Sequence, residues 1–134
     1  AVPQPEDAVL IADLLALMQA GGSDFTNTFR ALSDGGARDH VADREAFDAW
    51  EARWQTRIAS ETGTEARMRA ANPAIIPRTH RIEQAIEAAV AGDDAPFHRM
   101  LAAVTAPFAP PPGTEDLQTP PTEAERVTAT FCGT

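Results

Sequence analysis

The chain has 134 residues, 43% of them apolar, which suits one modest hydrophobic core and predicts a single domain. Its formal net charge is −9 at pH 7, and an acidic surface repels a phosphate backbone, which argues against nucleic-acid binding. All 11 basic residues are arginines. The composition therefore excludes a Schiff-base lysine and the lysine that pairs with ATP phosphates in kinases.

Two helices are predicted at the start of the chain. The first runs from about residue 7 to 20 and ends at Gly21-Gly22. The second follows a cap at Ser23 or Asp24 and stops at Asp34-Gly35-Gly36. The apolar face of the first helix comprises Leu10, Ile11, Leu14, Leu15, Leu17 and Met18.

Two further helices are predicted between residues 44 and 71. A third helix, from about 44 to 61, carries an apolar stripe whose helical spacing favours a core role over an aromatic ligand platform. A fourth begins with Thr64 as its cap and ends at Ala71, because a proline follows Asn72. The stripe of the third helix consists of Phe47, Trp50, Trp54 and Ile58.

The remaining helices form a predicted antiparallel hairpin. An extended crossing at 74–76 leads into a fifth helix, from about 79 to 91, for which Gly92 suits the C-terminal cap. Asp93 or Asp94 caps a sixth helix, and the short loop implies that the two pack side by side. No strand alternation is visible, so the sequence predicts an all-α bundle of five or six helices.

The composition changes abruptly at Pro107. Prolines interrupt helices because they lack an amide hydrogen, so residues 107–134 are predicted to be an extended tail that follows a helical domain at 1–106. The motif Pro107-Phe108-Ala109-Pro110 matches a PxxP ligand, but a linker or a segment that wraps its own domain is the favoured interpretation.

The sequence predicts neither a transmembrane helix nor a metal site. The longest apolar run, 9–18, is shorter than the roughly 20 residues of a transmembrane helix. The sole cysteine, Cys132, excludes an internal disulfide framework and a cysteine-based zinc cluster, and it fits a reducing compartment. His80, Glu83 and Glu87 can share a helix edge, but no further ligand is indicated, and no metal site is predicted.

One stretch carries a specific pattern, Met68-Arg69-Ala70-Ala71-Asn72-Pro73-Ala74-Ile75-Ile76-Pro77-Arg78-Thr79-His80. With this stretch the chain resembles the last third of the SelO family, also known as UPF0061. The similarity continues through 82–89, Gly92-Asp93 and Pro107-Phe108, and it closes with Phe131-Cys132-Gly133-Thr134. Residues 24–30 and 47–50 are also similar to the family pattern.

The resemblance implies a parent protein with a kinase-like fold that transfers AMP from ATP, with Mg, onto the hydroxyl groups of protein substrates. That chemistry needs a glycine-rich loop, a phosphate-pairing lysine and metal-holding side chains, and none of these can be placed here. No catalytic, cofactor-binding or metal residue is therefore assigned to this chain. The sequence begins at Ala1, with neither a methionine nor a signal pattern, so we expect a piece of a longer protein. Together with the resemblance, this predicts a non-catalytic C-terminal segment of a cytoplasmic, bacterial protein.

Two roles remain for this segment under the resemblance. The resemblance implies a terminal cysteine that forms a reversible disulfide with the catalytic domain, which makes Cys132 a redox candidate whose partner lies outside this chain; the alternative is an inert terminal thiol. Four arginines are candidates either for docking onto an acidic face of the catalytic domain or for solvated helix ends: Arg67, Arg69, Arg78 and Arg81. The alternative hypothesis is a stand-alone helical module that binds another protein.

Overall fold

The computed structural model describes residues 2–129 and separates into two compact units, 1–72 and 73–134. Within the described residues there are six α-helices, three short 3-10 helices and no β-strand. The predicted all-α class is therefore confirmed. The division into a helical domain, 1–106, and a tail, 107–134, stays a prediction, and the two compact units meet at a different point of the chain.

The first unit contains four helices: α1 (Pro5–Gly21), α2 (Phe25–Asp34), α3 (Arg44–Ile58) and α4 (Thr64–Ala71). Helix α1 packs against α3, and α2 packs against α4. The aromatic stripe lies in the core as predicted, since Phe47 and Trp50 are buried and Trp54 packs beside them. The other buried members of this core are Leu14, Met18, Leu32, Ala37 and Val41.

Local signals explain where these helices begin and end. The Asp24 carboxylate accepts a hydrogen bond from the amide of Asn27 at 3.0 Å, which caps α2. Gly35 ends the same helix in the left-handed conformation, with φ of 77°, that side chains other than glycine avoid. Gly21 is needed for another reason, because a Cβ atom there would lie 2.8 Å from that of Ala42.

The surface of α1 differs from the prediction. Of its apolar residues, Leu14 and Met18 are buried, while Ile11 and Leu15 are exposed to solvent. The sequence predicted that all four lie on one broad apolar face of the helix, packed in the core. Helix α1 is apolar over more of its circumference than α3 covers, and periodicity alone does not show which part of it is covered.

The second unit is built on α5 (Thr79–Val90) and α6 (Ala95–Val104), which pack together as the predicted hairpin. The base of this hairpin is closed by the backbone. The amides of Ala74 and Ile75 both donate to the carbonyl oxygen of Pro107, at 2.8 and 3.3 Å. We call this pair of bonds the clasp. It joins the extended crossing at 74–76 to Pro107-Phe108. Both segments carry the family resemblance.

The described part of the tail, 107–129, is fixed to the second unit rather than isolated. It contains two 3-10 helices, Glu115–Gln118 and Glu123–Glu125. Leu117 is buried in a small core with Ile75 and Ala103. A buried apolar side chain at a turn therefore helps to hold the proline-rich segment against the hairpin, which the low apolar content of the tail did not predict.

Candidate functional site

Two of the four predicted docking arginines lie on α4 in the first unit. Arg67 contacts Glu61, with Nη2 at 3.2 Å from Oε2. Arg69 contacts Asp34, with Nε at 2.7 Å from Oδ1, and Glu65 at 3.1 Å. The Asp34 carboxylate raises the pKa of the Arg69 guanidinium through this hydrogen bond. Both arginines are about half exposed, so these pairs contribute little to stability and can exchange for other carboxylates.

The other two lie at the start of α5 in the second unit. Arg78 is buried, and its backbone carbonyl accepts the first helical hydrogen bond, from the amide of Ile82 at 3.0 Å. Arg81 donates to the Gln84 side chain at 2.9 Å and to the Asp116 carbonyl oxygen at 3.0 Å. These two arginines therefore also support the local fold, which the sequence did not indicate. Their role in docking stays a prediction.

His80 lies beside Arg81 and is buried, with 4% of its surface exposed. Burial lowers the pKa of its imidazole, and the positive charges of Arg81 and Arg78 act in the same direction. The ring is therefore neutral at pH 7. It lines an open cleft together with Glu83 and Glu87 of α5 and Glu125 of the tail.

The residues weighed for metal binding remain unassigned. Among residues 2–129, the structure contains no group of three or more His, Cys, Asp or Glu side chains that could hold a metal ion. Over the same residues, no helix combines the length and the apolar character needed to cross a membrane.

Cys132, the predicted redox residue, lies outside the described residues, and its role stays a prediction. The structure does show how the chain leading to it is held. Glu125 accepts from the amide of Thr122 at 3.0 Å and from the Gln84 side chain at 3.3 Å. Asp116 pairs with Arg99, whose Nη1 lies 3.0 Å from Oδ2. These contacts anchor the tail to α5 and α6.

The roles of Asp116 and Glu125 could not be predicted from the sequence. Arg99 precedes Asp116 by seventeen positions, and Gln84 precedes Glu125 by forty-one. Local spacing rules cover partners three or four residues apart on one helix, so they carry no signal for these pairs.

Two helical units, with no strand within 2–129, define an all-α segment. Comparison with known proteins adds the family. No protein-family model matches the chain. It is 53% identical over 128 residues to the protein nucleotidyltransferase YdiU of Ruegeria sp. (strain TM1040), covering 96% of this chain and 27% of that protein.

Further relatives carry the same name. The YdiU protein of Roseobacter denitrificans is 53% identical over 132 residues, which cover 97% of this chain and 27% of the relative. That of Rhodopseudomonas palustris (strain BisB5) is 46% identical, with 98% and 29% covered. By sequence, the chain corresponds to a part of the SelO (UPF0061) family of protein nucleotidyltransferases, which confirms the resemblance. It spans only between a quarter and a third of these relatives, consistent with their C-terminal region.

Proposed function

We propose that this chain is the non-catalytic C-terminal helical segment of a SelO-like protein adenylyltransferase. The parent transfers AMP from ATP, with Mg, to Ser, Thr or Tyr hydroxyls of protein substrates. The segment supports the kinase-like catalytic domain of the same polypeptide. The observation that carries this proposal is the 53% identity to proteins named nucleotidyltransferases, of which the chain spans 27%.

The residues of this chain support a non-catalytic role. Transfer of a nucleotidyl group from ATP needs donors that cradle phosphates, usually a glycine-rich loop together with a lysine. The chain has no lysine. Of its two glycine pairs, Gly22 follows α1 and Gly35 follows α2, both as left-handed helix caps with positive φ. These glycines serve helix ends, as the sequence predicted.

A redox role for Cys132 belongs to the same proposal. Its thiol and a cysteine thiol of the catalytic domain form a disulfide by exchange with an oxidised small-molecule disulfide, which is reduced to two thiols. The anchoring of the tail through Asp116 and Glu125 supports this role, since it attaches the chain that leads to Cys132 to the second unit.

The four arginines supply a second, electrostatic contact to the catalytic domain in this proposal. Charge reversal of the half-exposed Arg69 in the parent protein, Arg69→Glu, should weaken docking of the segment. Arg126→Glu is the control, because Arg126 is exposed and its ion pair with Glu123, at 3.3 Å, joins residues three apart in the tail. Equal interdomain affinity in both variants would remove the arginines from the docking surface.

The function is tested by comparing the full-length parent with this chain in the presence of ATP and Mg. We expect the parent to attach AMP to protein substrates, detected as a mass increase of tryptic peptides, and this chain alone to bind no nucleotide. Mg-dependent ATP binding by the chain alone would contradict the non-catalytic assignment. Absence of AMP transfer by the parent would contradict the reaction.

The redox role needs a separate measurement on the parent. AMP transfer is assayed with reduced and with oxidised glutathione, for the natural protein and for Cys132→Ser. We expect the natural protein alone to respond to the oxidant. An equal response of both proteins would reject Cys132 as the switch.

A further inference from the structure

Helix α1 has an exposed face without any charged side chain. We call Ala8, Ile11, Ala12 and Leu15 the outer face of α1; all four are exposed, Ile11 to 57% and Leu15 to 41%. They are spaced by three or four residues, so they lie on the same side of the helix. An amphipathic surface helix would carry polar or charged residues there.

Two of the three charged residues of α1 pair with arginines of α3 instead. The Asp7 carboxylate accepts from Arg57, with Oδ1 at 2.6 Å from Nε, and the Asp13 carboxylate accepts from Arg53 at 2.7 Å. Together with Leu14 and Met18 in the core, these pairs fix which side of α1 faces α3. From Ala8 to Leu15 the helix is therefore apolar on its exposed side as well as toward its own unit, which is typical of a helix that is covered on both sides.

From this arrangement we infer that the outer face of α1 docks onto an apolar surface of the parent polypeptide outside this chain. The inference rests on the proposed function and names the surface that it needs. Its first support is length, because the chain spans only 27% of the proteins it matches. Most of the parent is thus available as the covering surface.

A second copy of the chain fits this face less well. A helix of 17 residues is about 25 Å long and about 10 Å wide, so one side of it offers on the order of 250 Å². Stable complexes between separate molecules bury about 800 Å² on each partner. A tethered partner has an effective concentration near the millimolar range, so a small apolar strip is sufficient within one polypeptide.

A lipid surface also fits poorly. Helices that lie on membranes carry Lys or Arg on their polar side, which attracts anionic lipids. Helix α1 has no basic residue, and its charged residues are Glu6, Asp7 and Asp13. The net charge of −9 adds repulsion from such a surface.

The test places two carboxylates on the outer face, in the variant I11E/L15E. The matched control is A52E/Q55E, which adds the same charge to exposed positions of α3. Thermal unfolding is measured for both variants in the full-length parent and in the 134-residue chain. We expect I11E/L15E to lower the unfolding midpoint of the parent by about 4 °C or more and to leave that of the chain unchanged. The control should change neither.

Two results would overturn the inference. An unchanged midpoint of the parent would show that the outer face stays solvated, and an equal loss in parent and chain would show that it matters within the first unit only. A photo-reactive residue at position 15 of the full-length protein identifies the occupant. Cross-links within one polypeptide, to residues outside this chain, are expected; cross-links to a second copy or to added phosphatidylglycerol vesicles would contradict the proposal.

These readouts do not depend on catalysis. A parent without AMP transfer but with the expected loss of stability would contradict the proposed reaction and retain the docking face. A parent that transfers AMP normally and shows no effect of I11E/L15E would support the proposed reaction and contradict the docking face.

Discussion

The indole Nε1–H of Trp50 donates a hydrogen bond to the backbone carbonyl oxygen of Leu10, at 2.8 Å. The donor lies on α3 and the acceptor in the middle of α1, so this bond fixes the two helices at one point along their lengths. A helix carbonyl has a second lone pair, so Leu10 can accept the indole and still take part in its own helix.

Replacing Trp50 by Phe should destabilise the first unit. The change keeps an aromatic ring in the core but removes the donor and some volume, and a lost hydrogen bond costs about 1 kcal/mol. We expect a decrease of about 1–2 kcal/mol in the free energy of unfolding, measured by urea denaturation with far-UV circular dichroism. The control is Trp54→Phe, because Trp54 is only partly buried. Its ring stacks on that of Trp50, with the ring centroids 5.7 Å apart. An equal or larger loss for Trp54→Phe would contradict the role of the bond.

Acid stability should depend on Asp7. Its hydrogen bonds with Arg57 and with the amide of Gln4 hold the pKa of the Asp7 carboxyl below its ordinary value. The unfolded state then binds more protons in this range, so the stabilisation is present above the unfolded pKa, near 4, and is lost as pH falls through the folded value.

For Asp7→Asn we therefore expect lower stability at neutral pH and a smaller decrease in the unfolding midpoint between about pH 5 and pH 2. Glu6→Gln is the control, since it removes a carboxylate from the same helical turn and keeps the Arg57 pair. The measurement is thermal unfolding across this pH range. A slope for Asp7→Asn as steep as that of the natural protein would contradict the prediction.

The second unit should lose stability at mildly acidic pH because of His80. Burial lowers the pKa of its imidazole, so the unfolded state binds a proton more readily than the folded state. Stability is thus complete above the unfolded pKa of about 6.5 and decreases as pH falls below it. Arg78 and Arg81 act in the same direction, whereas Glu125 opposes them.

Hydrogen exchange of α5 amides at pH 7 and pH 5 measures this effect. We expect faster opening at pH 5 in the natural protein, after correction for intrinsic exchange rates, and little change between the two pH values for His80→Gln. His98→Gln serves as the control because His98 is exposed. Equal pH responses in the natural protein and His80→Gln would show that another group is responsible.

The attachment of the tail should depend on Leu117. Leu117→Ala removes most of a buried side chain and should cost about 2–3 kcal/mol. Leu101→Ala makes the same chemical change at a position that is 45% exposed, so its effect should be much smaller. Hydrogen exchange at 115–125 measures the difference. Similar exchange rates in both variants would mean that Leu117 does not hold the tail.

The starts of the helices could be predicted because their signals are local. Helices α3 and α5 begin at Arg44 and Thr79, as the sequence indicated. Thr64 was predicted to cap α4, but Gly63 occupies that position with φ of 66°, and Thr64 is the first helical residue. Helix α3 also ends at Ile58, three residues earlier than predicted, and Ser60, Thr62 and Gly63, which have low helix propensity, follow within five residues.

The candidate site was less accessible to sequence reasoning. The spacing of Ile11 and Leu15 shows that they share a helix side, but it cannot show that α3 covers a different side. The pairing of Arg57 with Asp7 spans fifty residues and becomes visible only when α1 and α3 pack. The family resemblance could be recognised in the sequence because it rests on residue identities rather than on periodicity.

The clasp between Ala74 and Pro107 sets the base of the α5–α6 hairpin independently of its tip. The turn around Gly92 is exposed and lies at the far end of the hairpin from these bonds. Exposed loop tips tolerate added residues far better than anchored bases do. An epitope or a dye-labelling sequence inserted at Gly92 therefore leaves the anchored end intact. The second unit can thus be labelled without disturbing the clasp.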